Sequence, residues 1–310
     1  MENIKQVGVL IGRFQTPELH NAHNYLIETV LEKHDKVIIF LGTSKVKLSR
    51  IHTLDFETRK LMLEEKIGDK AKIIQLNDMP RRDDLWSLQV DTKILAEFPD
   101  HTAILYGSRD SFIPFYCGKF KTEYIEAMDN SVSGTDLRNE VSKKPLPSKD
   151  FRSGIIYNSF NKYPIVYSTV DVAIFNDDET KILMGRKLGD PIGIYRFVGG
   201  FVDPNDENEL QTVRREGFEE TNATIEPYEF VTSMMVRNDP RYKREPDQSI
   251  MTHLYKARYI YGQVKGSDDL AEVIWFDVSD VKPEMFVGEH QPLWNILKTN
   301  LEKSNKSLAL

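Results

Sequence analysis

One cysteine, Cys117, in 310 residues leaves no partner for an internal disulfide and no thiolate cluster for zinc or iron–sulfur. Nothing beside Cys117 marks it as an activated nucleophile, and a reducing compartment is the simplest setting for such cysteine usage. Long apolar runs are missing too. Stretches such as 37–41 are far too short to cross a bilayer, and residues 1–6 lack the basic start and apolar core of a signal peptide. A cytoplasmic location with no membrane partner is therefore expected. Nor is there an excess of positive charge: 41 Lys and Arg against 48 Asp and Glu leave a formal charge of −7. That balance argues against a nucleic-acid partner, which basic patches would have to hold. It leaves phosphate ligands open, because local arginines or a divalent cation reverse the sign at a site. What the chain does have is 40% hydrophobic and 29% charged residues, a globular composition. Its length suits two domains of about 150 residues each.

The first half alternates short apolar runs (7–11, 37–41, 72–76, 102–106) with longer segments of helical spacing, such as 23–31 and 58–67. Strand–helix alternation predicts parallel strands with right-handed crossovers, hence an α/β, doubly wound sheet. Ligands of such sheets sit at the carboxyl ends of the strands, which directs attention to the loops after Ile11 and Tyr106. Pro145, Pro147 and Pro164 interrupt any long helix, and a domain boundary is placed near 150–163, giving domains 1–155 and 163–310. Beyond it, strand-like segments (166–175, 182–186, 230–236, 252–261, 273–278) dominate over two helix candidates, 207–221 and 292–301. That mixture predicts an α+β sandwich.

Two elements of the first half carry anion-binding chemistry. Gly12-Arg13-Phe14-Gln15 follows the first apolar run, and His20-Asn21-Ala22-His23 opens the next helix. A helix N-terminus offers unpaired N–H groups and partial positive charge, and histidines at i and i+3 share its first turn. The alternative is that His20 caps the helix while His23 packs beneath it. Far along the chain, Ser133-Gly134-Thr135-Asp136-Leu137-Arg138 repeats the theme with small hydroxyl residues, glycine and an arginine one turn in, although such a string is also a common helix cap.

Together these strings resemble the nucleotidyltransferases of the HxGH superfamily, specifically the archaeal-type nicotinamide mononucleotide (NMN) adenylyltransferases. The resemblance implies a Rossmann-like domain that transfers the adenylyl group of ATP to NMN, releasing pyrophosphate with Mg²⁺. It implies His20, His23 and Arg138 on the triphosphate and leaving group, with Gly12, Arg13, Phe14, Gln15, Ser133 and Thr135 around the phosphates. Gly107, Ser108, Arg109 and Asp110 would line the adenosine pocket. Trp86, after Asp78, would stack on nicotinamide; on its own it reads more readily as core. Arg59 is a weaker candidate, since a helical arginine is usually solvated. Two departures stand out: four residues separate Gln15 from His20 where the family has two, and Ala22 replaces a glycine.

In the second half, Arg215-Glu216-Gly217-Phe218-Glu219-Glu220 sets three carboxylates on one helical turn. Left alone they repel, whereas a hard divalent cation would turn repulsion into coordination. A solvated acidic face is the bland reading. With Gly199, Gly200 and Glu207, the segment resembles the Nudix box. It departs by one extra residue before Glu207 and by Gly217 and Asn222 in place of an aliphatic residue and a glycine. The resemblance implies a Nudix sandwich that hydrolyses a nucleoside diphosphate, with Gly200, Glu216, Glu219 and Glu220 holding Mg²⁺, or Mn²⁺ as the alternative. The general base is left among Asp268, Asp269 and Glu272. Arg196 and Arg241, the latter in an Asp239-Pro240-Arg241 string, would contact ADP-ribose. The pairing resembles bifunctional NMN adenylyltransferase/ADP-ribose pyrophosphatase proteins, with ATP, NMN and ADP-ribose as small-molecule substrates. An adenylyltransferase carrying a non-catalytic, ADP-ribose-sensing module is the rival reading, and a homo-oligomer stays open.

Overall fold

The computed structural model describes residues 5–46, 48–127, 133–236, 239 and 244–308. The chain divides into two compact units, Met1–Tyr163 and Pro164–Leu310.

The first unit strings together β1 (Gln6–Gly12), α1 (Asn21–Lys33), β2 (Lys36–Thr43), α2 (Phe56–Ile67), β3 (Lys72–Asn77), α3 (Asp83–Glu97) and β4 (Thr102–Gly107). A short β5 (Lys121–Tyr124), α4 (Gly134–Val141) and α5 (Lys149–Asn161) follow. Its five strands form one parallel sheet in the order β3-β2-β1-β4-β5, the expected α/β arrangement. Because side chains alternate along a strand, each apolar run feeds both faces. Leu10, Ile39 and Leu41 pack with Ile27 and Val30 of α1 and Leu63 of α2, while Val9, Ile38 and Phe40 pack with Val90 and Ile94 of α3. The stretch expected to part the domains is instead mostly helix, α5. The prolines bracket that helix rather than interrupt it, and Ser148 caps it by accepting the Phe151 N–H at 3.1 Å.

The second unit holds β6 (Ile165–Phe175), β7 (Lys181–Lys187), α6 (Glu209–Thr221), β8 (Ala223–Val236), β9 (Gln248–Gly262), β10 (Leu270–Asp277) and α7 (Gln291–Leu308). Its mixed sheet runs β10-β7-β6-β9-β8, with β6 and β9 parallel and the other pairs antiparallel. Again one strand serves two cores. Val170, Val172 and Ile174 face the cluster containing Val213 of α6, and Ala173 and Phe175 face Leu293, Trp294 and Leu297 of α7. The sheet is thus sandwiched between α6 and α7. β8 begins seven residues earlier than the sequence pattern suggested, because Pro227 sits at a register shift that lets the ladder continue past it. β6 pairs with β7 only at Ile174 and Phe175. Below that point the 195–202 segment enters the gap, bridging Val198 to Val172 and Phe201 to Thr169 on one side and Arg196 to Gly185 on the other.

Candidate functional site

The strand order of the first sheet reverses between β1 and β4, and a crevice opens at their carboxyl ends. Its cavity of about 750 Å³ is lined by Gly12, Arg13, Phe14, Gln15, His20, His23, Trp86, Gly107, Ser108, Arg109, Asp110, Ser133, Thr135 and Arg138. The cap reading of His20 describes what the structure shows. His20 is the N-cap of α1, its Nδ1 accepting the His23 backbone N–H at 3.4 Å, and the two rings stack with centroids 3.6 Å apart. A ring that accepts at Nδ1 carries its proton on Nε2. Burial lowers the His20 pKa, and burial with His20 alongside takes His23 down to about 4. Both imidazoles are therefore neutral near pH 7 and serve as hydrogen-bonding groups. Among the described residues, His23 Nδ1 and Thr16 Oγ1 are buried without a protein partner.

Positive charge comes from the arginines. Arg138 donates through Nη1 to the Gln15 carbonyl at 2.9 Å and through Nη2 to Thr135 Oγ1 at 3.0 Å. Those bonds join two motifs that are far apart in sequence. Ser133 caps α4, accepting the Asp136 N–H at 3.1 Å. Arg13 is held at 3.0 Å by Asp78. Trp86 is half-buried on α3 against Phe112 and Tyr116, whose hydroxyl is anchored on Asp91.

Two residues have settings that the sequence did not suggest. The Gln15 side chain is bound to the main chain at Leu54. Its Nε2 donates to the Leu54 carbonyl at 2.9 Å, and its Oε1 accepts the Leu54 N–H at 2.7 Å. Arg59 is not solvated: it is 1% exposed, with Nη1 donating to the Arg13 and Gly42 carbonyls at 2.8 and 2.9 Å and Nε to the Asp55 carbonyl at 3.0 Å. Burial, then Arg13, lowers it to about 10, still a cation at neutral pH. It forms the floor of the loop that carries Arg13.

In the second unit a cavity of about 510 Å³ lies where the 195–202 segment passes α6. Gly199, Gly200, Glu216 and Glu220 line it, together with Arg196, Arg215, Lys187, Asp268 and Asp269. Gly199 has φ 151, and a Cβ there would stand 2.0 Å from the Val170 carbonyl, so only glycine serves. Its N–H donates to Glu220 Oε2 at 2.8 Å. The Glu216 carboxylate lies against Gly200 and accepts from Arg215 Nη1 at 2.7 Å. Arg215 also reaches the Phe201 carbonyl at 3.0 Å and Asp206 at 2.8 Å. Burial raises the Glu216 pKa and pushes Glu220 up to about 8.

Glu219 departs from expectation, with a side chain 47% exposed, paired with Arg215 at 3.1 Å and outside the cavity lining. Glu272 pairs with Arg186 at 2.5 Å and lies outside the lining as well. The loop carrying Asp268 and Asp269 docks on the end of α6, where the Ser267 and Lys265 N–H groups donate to the Glu220 and Thr221 carbonyls, each at 3.0 Å. Asp269 holds Lys187 at 2.5 Å, while Asp268 raises the Glu216 pKa by like charge. Arg196 is gripped by Asp190 through three contacts of 2.9 to 3.1 Å. Asp239 lines the cavity, whereas Pro240 and Arg241 lie outside the described residues.

Among the described residues no three His, Cys, Asp or Glu side chains converge as a ready cage for a metal ion. The donor chemistry nonetheless suits a hard cation. Glu216 and Glu220 are buried carboxylates whose charged forms are poorly compensated. The Gly200 carbonyl already accepts the Val170 N–H at 2.9 Å, which leaves one lone pair. Mg²⁺ commonly takes one or two carboxylates and completes its shell with water and substrate phosphate. Sequence reading missed Lys187, Asp206, Asp171 and His290 at this cavity or beside it. Only Asp206 had a signal, its proximity to the charged helix.

Residues 167–294 match the NUDIX domain family model. A curated relative, an NAD-capped RNA hydrolase of Schizosaccharomyces pombe, is 30% identical over 100 residues, covering 28% of this chain and 26% of that enzyme. The match thus spans about a quarter of that relative's length. Among solved structures, a Francisella tularensis bifunctional NMN adenylyltransferase/ADP ribose pyrophosphatase complexed with AMP and a manganese ion is 18% identical, with TM-score 0.41 over 96% of this chain and 99% of that one. The NUDIX domain of Shewanella oneidensis NrtR, complexed with ADP ribose, is 24% identical with TM-score 0.36, over 45% of this chain and 90% of that one.

Proposed function

From the premise that residues 167–294 form a NUDIX domain, we propose that the second unit hydrolyses the diphosphate of ADP-ribose to AMP and ribose 5-phosphate. The observation that carries this reading is the pair of buried carboxylates, Glu216 and Glu220, facing the Gly199-Gly200 turn at the floor of a nucleotide-sized cavity. Glu216, Glu220 and the free lone pair of the Gly200 carbonyl would hold a divalent cation. When bound, such a cation supplies an activated water and neutralises diphosphate charge. Asp268, facing Glu216, takes the proton of the attacking water as its oxygen bonds to phosphorus and the P–O bond of the diphosphate breaks. Asp269 keeps Lys187 beside the cavity, where its ammonium meets the departing phosphate.

The first unit, in the same reading, joins NMN to ATP. The NMN phosphate attacks the α-phosphorus, and pyrophosphate leaves toward the N-termini of α1 and α4. This chemistry needs no protein nucleophile, only alignment and charge stabilisation. The His20 Nε2–H and Arg138 are the donors in reach of the leaving group, and Trp86 with Phe112 and Tyr116 offers a face for a planar ring. Incubating the full-length protein with Mg²⁺ or Mn²⁺ and each substrate set, followed by chromatography, tests both halves. NAD with pyrophosphate, and AMP with ribose 5-phosphate, are expected. ADP-ribose bound but recovered intact would overturn the hydrolase in favour of a sensor.

A further inference from the structure

One side-chain cluster at the second cavity has no part in the chemistry above. His290 and Asp171 line the cavity, and Asp171 is buried. His290 Nδ1 accepts the Phe197 backbone N–H at 3.1 Å, and the two rings stack with centroids 5.7 Å apart. The ring proton therefore sits on Nε2, the nitrogen turned toward Asp171 Oδ1 at 3.5 Å. The other oxygen of Asp171 accepts from Thr252 Oγ1 at 2.5 Å. With one nitrogen bound to the main chain and the other facing a carboxylate, His290 is placed to orient its neighbours. Its place in the backbone ladder shows which.

The 195–202 segment is fixed residue by residue. Tyr195 exchanges bonds with Met285 and Val287 at 2.7 and 2.9 Å, and Arg196 with Gly185 at 2.8 and 3.0 Å. The Val198 and Gly200 carbonyls accept from Val172 and Val170 at 2.7 and 2.9 Å, and the Val202 N–H donates to Ser168 at 3.0 Å. Gly199 is held by Glu220, a proposed cation ligand. At Phe197, two residues before that contact, a side chain takes over the ladder, and it belongs to the residue preceding α7. We infer that His290, oriented by Asp171 and Thr252, is a positioning residue that sets the Gly199-Gly200 turn against Glu216 and Glu220, and so fixes the cation-holding geometry from the opposite face of the sheet.

This rests on the reading of Glu216 and Glu220 as cation ligands, so the test separates the two. Mn²⁺ binding to the full-length protein without substrate is measured by electron paramagnetic resonance, with Glu216→Gln defining loss of the site. His290→Leu, which removes the acceptor, should bind Mn²⁺ about 10- to 100-fold more weakly. His290→Asn, which keeps an acceptor near the Nδ1 position, should recover binding to within about threefold of wild type, a rescue that lost packing alone would not give. Circular dichroism and the thermal midpoint establish that each variant is folded. A folded Leu variant that binds like wild type, or an Asn variant as weak as Leu, overturns the inference. If the Leu variant does not fold, Asp171→Asn decides: several-fold weaker binding supports the inference, and unchanged binding overturns it. Wild type that binds no Mn²⁺ at this site would bring down the ligand reading itself, and this inference with it.

Discussion

Glu220 shows how much a single side chain can reveal about its site. An ordinary glutamate titrates near 4.5, and burial holds this one up to about 8. Between those values the folded chain keeps a proton that the unfolded chain has released, so stability falls as pH climbs through that window and levels off above it. Metal-free protein should therefore be strained at this point near pH 8, by on the order of a few kcal/mol. Glu220→Gln removes the titration while retaining an acceptor for the Gly199 N–H. In a chelator, the thermal midpoint of the variant should gain on wild type between pH 5 and pH 8; a gap that does not change with pH would refute this account. Adding Mn²⁺ should then raise wild type and leave the variant unmoved. Glu216 and Glu220 were legible in the sequence because helical spacing alone puts them on one face. His290, Asp171 and Lys187 were not, because their partners come from distant segments that only the folded sheet brings together.

At the scale of elements, the departures from the expected Nudix string have local causes. Gly217 lies where α6 presses on β8: a Cβ there would stand 2.3 Å from Ile225 Cδ1. Asn222 takes the left-handed C-cap of α6 with φ 55, a conformation that asparagine tolerates nearly as well as glycine. Gly217→Ala should thus lower stability by about 1–2 kcal/mol, overpacking outweighing the gain in helix propensity. Ile225→Val removes Cδ1, the nearer of the two obstructing atoms, and keeps Cγ1 at 2.7 Å, so the double variant should lose less than the sum of the two single changes. Additive effects in urea melts would refute the contact. Strands were readable wherever an apolar run was bounded by polar residues. They were missed where a proline falls at a bulge, as at Pro227. α5 was hidden for a different reason: its flanking prolines read as breakers, and its Ile155, Ile156 and Phe160 are exposed, so the helix has no core-facing stripe to announce it.

Across the whole molecule, each unit has its own sheet, its own cores and its own cavity. Glu216→Gln should accordingly abolish cleavage of the ADP-ribose diphosphate while leaving NAD formation within about twofold of wild type. His20→Ala should do the reverse, and a variant that silences both reactions would show coupling between the units. The protein as a whole carries a formal charge of −7, although every proposed substrate is an anion. Long-range attraction cannot come from the net charge, and Asp78 already offsets Arg13 at the rim of the first cavity. Arg59, solvated by main-chain oxygens instead of carboxylates, acts as a built-in counterion beneath that rim. It makes the local potential more positive before any ligand arrives, and dissolved salt, unable to reach it, screens it far less than it screens the surface lysines.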